Sequence, residues 1–148
     1  MEKFAGLFVS CLNLGRLPAP GAWGSLVGWL LAWFFPGQAL GIFLCLTFLG
    51  YFFTEPAVKV FKSPDPSPFI LDEVCGMMLC VLGLPHHLAI YVAAYILFRI
   101  LDVAKPGPIG WLEKHFHPFS IMNDDLLAGL FTNLILQAVL ALLLRIGI

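Results

Sequence analysis

Residues 74–98 read VCGMMLCVLGLPHHLAIYVAAYILF, a run of 25 positions without a charged side chain. The number of membrane helices depends on this segment, because it could form either one helix of about 37 Å or a hairpin of two short helices. Gly83-Leu84-Pro85-His86-His87 lies at its centre, where proline disrupts a helix and two histidines at mid-membrane would be costly. We therefore predict a hairpin, with helices at about Phe69 to Leu84 and His87 to Leu101. Each would be only about 23 Å long, below the ~30 Å bilayer core, so these helices must thin the membrane, extend into the interface or be partly re-entrant.

Two further uncharged blocks flank this stretch, at Leu17 to Thr54 and Leu126 to Leu144. The first has 38 residues, too many for one span, and Pro36-Gly37 predicts a tight turn inside it. We expect helices at about Gly24 to Phe35 and Gln38 to Phe53. The last block has 19 residues, close to the roughly 20 that cross a bilayer. The sequence thus predicts an all-α integral membrane bundle of about five membrane helices, arranged as two hairpins and a C-terminal span.

The composition excludes an ordinary soluble domain. The 148 residues are 60% hydrophobic and only 11% charged, whereas soluble domains have about 25% charged residues. The length suits one membrane-embedded domain, residues 1–148. A net charge of −1 provides no basic face for nucleic acid. No pattern in the chain indicates an oligomeric state.

The basic residues predict the orientation of this bundle. In the two-hairpin topology one side holds Lys3, Arg16, Lys59, Lys62, Arg99, Lys105 and Lys114, and only Arg145 lies on the other. Since Lys and Arg are enriched in cytoplasmic loops, we expect a cytoplasmic N-terminus and an outer C-terminus. The polar loops, about Glu55 to Pro68 and Lys105 to Asn123, would then be cytoplasmic.

Five carboxylates lie at the edges of the apolar segments. They are Asp72, Glu73, Asp102, Asp124 and Asp125. A charge inside a bilayer costs about 2.5–3.5 kcal/mol on the insertion scale, so such residues usually have a function. Taken singly, each has a structural alternative as a helix-dipole partner, an interfacial ion pair or a helix cap.

Together with nearby cations, the acids indicate phosphate chemistry. Mg²⁺ takes oxygen ligands from carboxylates, and Arg99 and Lys105 could neutralise a phosphate. The loop from Gly15 to Ser25 could add backbone amides and the charge of Arg16, and Ser25 is a further candidate phosphate contact. Water activated by metal or carboxylate could attack phosphorus, or an aspartate could attack and form an aspartyl phosphate; the residues leave both routes open.

Four segments, in order, resemble the phosphatidylglycerophosphatase A family. They are Pro20-Gly-Ala-Trp-Gly-Ser25, Asp65 spaced seven before Asp72-Glu73, Phe98-Arg-Ile-Leu-Asp-Val-Ala-Lys-Pro-Gly-Pro-Ile109, and Asp124-Asp-Leu-Leu-Ala-Gly129. The resemblance covers about Gly15 to Gly129. One departure is Ala22, where the family usually has threonine, which leaves the role of that loop less defined.

The resemblance implies Mg²⁺-dependent removal of the terminal phosphate from phosphatidylglycerophosphate, a phospholipid in the bilayer. The products would be phosphatidylglycerol and inorganic phosphate, formed at the cytoplasmic face of the bacterial inner membrane. It also implies one site containing Asp65, Asp72, Glu73, Asp102, Asp124 and Asp125, with Arg99 and Lys105 as phosphate binders. Within this set we expect Asp72, Asp102 and Asp125 to be catalytic and all but Asp65 to be metal ligands, Asp65 being a possible site residue.

Three other functions are alternatives to this one. A phosphatase of another lipid phosphate would share the same chemistry. A CDP-alcohol phosphotransferase also uses Mg²⁺ and clustered aspartates, but its Asp-Gly…Ala-Arg…Gly…Asp…Asp pattern is absent. A small cation carrier should place its acids near mid-membrane, whereas these lie at helix edges.

Overall fold

The computed structural model describes residues 2–63, 66–107, 109–111 and 120–147. Its helices are α1 (Glu2–Val9), α2 (Pro20–Phe34), α3 (Ala39–Phe61), α4 (Leu71–Val81), α5 (Leu88–Ala104) and α6 (Ser120–Arg145), with a short 3-10 helix at Leu14–Arg16. Within these ranges no residue is in a β-strand, so the all-α prediction is confirmed.

The hairpin expected within residues 74–98 is present. Helices α4 and α5 are separate, and the chain between them includes Gly83 at a φ of +74°, a left-handed conformation that favours glycine. At the start of α5, the Nδ1 atom of His87 accepts a hydrogen bond from the backbone N–H of Ala89 (3.3 Å). The two helices pack closely, because a Cβ atom built on Gly76 would lie 2.8 Å from Cζ of Phe98. Helix α4 has only 11 residues, about 16 Å, and is shorter than predicted.

Two helices of the described chain are long and apolar enough to cross a membrane, α3 and α6. Large apolar side chains on their outer faces are exposed, such as Phe48 on α3 and Leu142 on α6, as expected of surfaces that contact lipid. These features indicate a membrane protein. The other helices are shorter, and α4 is largely buried within the bundle, so the expectation of five membrane helices stays a prediction.

Several predicted boundaries are wrong. The polar loop expected from Glu55 begins later, because α3 continues through Pro56 to Phe61. The other loop ends earlier, since α6 begins at Ser120 and includes the acids expected to precede it. Helix α1 was not predicted, and packing explains it: a Cβ atom on Gly6 of α1 would lie 3.2 Å from Cγ1 of Val60.

Glycines allow α4 to contact its neighbours backbone to backbone. A Cβ atom on Gly129 of α6 would lie 2.4 Å from the carbonyl oxygen of Gly76, and one on Gly28 of α2 would lie 2.3 Å from that of Val74. The side-chain amide of Asn133 in α6 donates to the carbonyl oxygens of Cys80 and Leu82 at 2.9 and 2.8 Å. These carbonyls at the C-terminus of α4 would otherwise have no helical partner. Helix α4 is therefore held along its length by α6.

Candidate active site

Three acidic side chains converge where the N-terminus of α4 meets α6. Asp72 and Glu73 lie in the first turn of α4, and Asp125 lies in α6. One carboxylate oxygen from each lies within 4.8 Å of the others. The close crossing of α4 and α6 produces this arrangement, since the carbonyl oxygen of Asp125 would lie only 2.7 Å from a Cβ atom on Gly76.

The three acids are poorly compensated within the described part of the chain. Asp72 and Asp125 are only 7% and 4% exposed. Burial raises the pKa of the Asp72 carboxyl well above its usual range, and the charges of Glu73 and Asp125 raise it further. One oxygen of Glu73 (Oε2) and one of Asp125 (Oδ1) are buried without a hydrogen-bond partner among the described residues. A buried carboxylate is stable only if it is paired, protonated or bound to a metal.

This donor set could hold a divalent metal ion. All three groups offer carboxylate oxygens, which are the ligands that Mg²⁺ prefers. A bound divalent cation would satisfy the unpartnered oxygens of Glu73 and Asp125. It would also remove the electrostatic repulsion among the three acids.

Arg99 of α5 lies directly beside the acids. Its Nη1 atom is 2.6 Å from Oδ2 of Asp102 and 3.5 Å from Oγ of Ser25. A Cβ atom built on Gly21 of α2 would lie 2.7 Å from both Arg99 Nη1 and Glu73 Oε1. The guanidinium, the acid and the first turn of α2 therefore meet at one point, and only glycine leaves room for them there.

Lys105 provides a second cation next to the cluster. Its Nζ atom is 2.8 Å from Oδ2 of Asp124. The other oxygen of Asp124 (Oδ1) accepts a hydrogen bond from the backbone N–H of Asp125 at 3.1 Å. The ion pair therefore adjoins one of the three converging acids.

The structure thus divides the five sequence-predicted acids into two groups. Asp72, Glu73 and Asp125 share one location, while Asp102 and Asp124 form ion pairs with Arg99 and Lys105. Asp102 is still close: burial raises the pKa of Glu73, and the charge of Asp102 raises it further while that of Arg99 lowers it.

The remaining candidates occupy different positions. Ser25 is fully buried and its hydroxyl donates to the carbonyl oxygen of Gly21 (2.7 Å), so it contacts Arg99 from within α2. Arg16 is exposed at the end of the 3-10 helix and forms no ion pair with any residue that the structure describes. Asp65 lies outside the described residues and stays a prediction.

Sequence reasoning missed two residues that support the site. Gly76 makes the α4–α6 crossing possible. In the sequence it is one glycine within an apolar segment, and nothing there indicates this contact. Tyr51 of α3 donates a hydrogen bond from its hydroxyl to Oδ1 of Asn123, the residue directly before the two acids of α6. Nothing in an uncharged block distinguishes that tyrosine. Asn133 of α6, by contrast, binds the C-terminal carbonyls of α4.

Comparison with known proteins agrees with this chemistry. The family model described as phosphatidylglycerophosphatase A matches residues 7–140. Phosphatidylglycerophosphatase A of Escherichia coli (strain K12) is 34% identical over 119 residues, covering 76% of this chain and 69% of that protein. The protein of the same name from Haemophilus influenzae is 32% identical over 130 residues, 82% of this chain and 79% of that protein.

A third relative has a different name. "Putative phosphatidylinositol-3-phosphatase" of Bacteroides thetaiotaomicron is 29% identical over 130 residues, 80% of this chain and 81% of that protein. No solved structure matches. The family model covers nearly the whole chain and includes every described residue of the acidic cluster. On this evidence the chain belongs to the phosphatidylglycerophosphatase A family of phosphatase enzymes.

Proposed function

We propose that this protein is a Mg²⁺-dependent lipid phosphatase that hydrolyses the terminal phosphate of phosphatidylglycerophosphate. The products are phosphatidylglycerol and inorganic phosphate. The observation that carries the proposal is the cluster of Asp72, Glu73 and Asp125 with Arg99 beside it, in a chain whose relatives from E. coli and H. influenzae have the matching name.

The three converging acids hold the metal in this proposal. When bound, Mg²⁺ would withdraw charge from the phosphate and lower the pKa of a coordinated water. Asp102 and Asp124 hold Arg99 and Lys105 at the edge of the cluster, within reach of a phosphate, and we propose them as further metal ligands. The two cations stabilise the negative charge that develops on the transferred phosphoryl group.

The catalytic acids are Asp72, Asp102 and Asp125. One of them either accepts a proton from the attacking water or attacks phosphorus itself to form an aspartyl phosphate that water then cleaves. In both routes the oxygen of phosphatidylglycerol leaves with the electrons of the broken P–O bond and takes up a proton. Ser25 positions Arg99 through the contact of its hydroxyl with the guanidinium. Arg16, the other candidate phosphate contact, lies on the 3-10 helix that precedes α2.

We place the site at the cytoplasmic face of a bacterial inner membrane. Lys59 near the end of α3 and Lys105 after the end of α5 lie toward the acid end of the bundle, whereas Arg145 ends α6 at the opposite side. Because Lys and Arg are enriched on the cytoplasmic side, this asymmetry supports a cytoplasmic location for the end of the bundle that holds the acids. Alkaline phosphatase fused after α6 should therefore be active outside the membrane, and activity only from a cytoplasmic reporter at that position would contradict the orientation.

Phosphate release from phosphatidylglycerophosphate in detergent micelles tests the function. We expect turnover in Mg²⁺ and none in EDTA, because EDTA removes the cation that the carboxylate cluster would hold. In the same assay Arg99→Ala should raise KM and lower kcat. Equal activity in EDTA and Mg²⁺ would contradict the metal proposal.

A second substrate is supported by the B. thetaiotaomicron relative, whose name refers to a phosphoinositide. Phosphatidylinositol 3-phosphate and phosphatidic acid should therefore be assayed beside the main substrate. A higher kcat/KM for either lipid would change the proposed substrate and leave the proposed active site unchanged. Absence of phosphate release from every lipid would favour the cation carrier instead.

A further inference from the structure

Helices α2 and α5 enclose an apolar groove on the outside of the bundle. Its volume is about 230 Å³, and it is lined by Leu26, Trp29, Val92 and Tyr95. Leu26 of α2 and Val92 of α5 both line this groove, and their side chains are 36% and 45% exposed. The groove is therefore open to the surroundings of the bundle, which for a membrane protein include lipid.

Hydrogen bonds between the two helices define both ends of the groove. At one end the hydroxyl of Tyr95 donates to the carbonyl oxygen of Ala22 (3.1 Å). At the other the indole N–H of Trp29 donates to the carbonyl oxygen of Tyr91 (2.9 Å), and Trp29 stacks on Trp33. The two bonds are about 10 Å apart along α2. They fix the spacing of the helices, and the aromatic stack closes the far end.

The near end of the groove adjoins the candidate active site. Tyr95 precedes Arg99 by four residues, so both lie on one face of α5, one turn apart. Ala22 follows Gly21, where a Cβ atom would lie 2.7 Å from Nη1 of Arg99. A phosphate bound at Arg99 therefore lies one helical turn from the entrance of the groove.

We propose that this α2–α5 groove holds one acyl chain of the phospholipid substrate while its phosphate lies against Arg99. The inference rests on the proposed function and adds the subsite for the lipid tail. Lipid is as apolar as the groove, so transfer of a chain into it contributes little affinity in a bilayer. Its contribution is orientation: a displacement of about 1 Å at the reacting group can cost about 10²-fold in rate.

Two groove-filling variants test the subsite. Val92→Phe and Leu26→Trp, on opposite walls, should each lower kcat/KM for dioleoyl-phosphatidylglycerophosphate about 10-fold or more. The dibutyryl substrate, whose chains are too short to occupy the groove, should change less than about 3-fold. Val139→Phe is the matched control, because Val139 is 46% exposed on α6, away from the groove, and it should leave both substrates unaffected. Equal losses on both substrates, no loss on either, or the same loss in Val139→Phe would overturn the proposal.

A second measurement does not depend on turnover. Phosphatidylglycerophosphate with a photoreactive diazirine in one acyl chain is cross-linked to the wild-type protein, and the adducts are mapped by mass spectrometry. We expect adducts in Leu26–Trp29 and Val92–Tyr95. Excess unlabelled substrate should prevent these adducts from forming, whereas excess phosphatidylcholine should not. Adducts that both lipids remove equally would show general lipid contact and overturn the subsite. Absence of phosphate release from the wild type would instead refute the proposed function, so the two failures are distinguishable.

Discussion

Asp125→Asn should abolish phosphate release while leaving the folded protein as stable as the wild type or more so. The carboxamide keeps the shape of the side chain but loses the charge that binds a metal. Since replacement of groups that only support metal ligands typically costs 10–100-fold, loss of a ligand should cost more than about 100-fold in kcat. Stability should not fall, because the substitution removes one of three clustered, like-charged groups. Phosphate release and thermal unfolding in detergent, both without added metal and with Mg²⁺, measure the two effects.

Glu55→Gln is the control for this experiment. It makes the same chemical change at an exposed acid of α3 that is outside the cluster, so activity and stability should both stay at the wild-type level. The wild type should also gain thermal stability when Mg²⁺ is added, since a ligand that binds only the folded state stabilises it. Asp125→Asn should lose that gain. A variant that keeps its turnover, or that keeps the Mg²⁺-dependent gain, would remove Asp125 from the metal site.

Gly129→Ala should cause a large loss of stability. The new Cβ atom would lie 2.4 Å from the carbonyl oxygen of Gly76, and neither backbone can move aside without separating α4 from α6. Overpacking of this kind costs about 1–3 kcal/mol or more. Because the same crossing brings Asp125 to the acids of α4, we expect the remaining folded protein to be nearly inactive. Thermal unfolding and kcat for the purified folded fraction measure both effects.

Gly41→Ala is matched to that variant. Gly41 also lies in a membrane-length helix, but a Cβ atom there meets nothing within 4 Å. Alanine should be neutral or slightly stabilising at this position, since glycine is the poorer helix former by about 1 kcal/mol. If Gly129→Ala unfolds at the temperature of Gly41→Ala and keeps full activity, the backbone contact does not hold the site together.

Much of the helical pattern was predictable from local signals. The break at Gly83 to His87 followed from proline and glycine within an apolar run, and the structure separates α4 and α5 there. The loop predicted from Glu55 was wrong at its start, because α3 accommodates Pro56 within its length. Whether a proline ends a helix depends on the packing around it, and that information is not local.

The composition of the acidic site was predictable, but its division was not. Apolar surroundings identified all five acids as exceptional, since charge in such segments is expensive. Which of them face one another depends on the rotation of α6 against α4, set by Gly76 and Gly129. Asp124 and Asp125 are adjacent in sequence, yet one pairs with Lys105 and the other joins Asp72 and Glu73. Asp65 lies outside the described residues, so its place in the site stays a prediction.

The dependence of α4 on α6 has a consequence for biosynthesis. Helix α4 leaves the ribosome before α6, so Asp72 enters an apolar environment while Asp125, and the amide of Asn133 that binds the C-terminus of α4, have yet to be made. An 11-residue helix with two acids in its first turn is a poor substrate for membrane insertion on its own. We therefore expect α4 to settle into the bundle only after α6 is synthesised. A ribosome-stalled chain that ends before α6 should expose α4 to water-soluble thiol reagents at Cys75 and Cys80, and the finished protein should protect both cysteines.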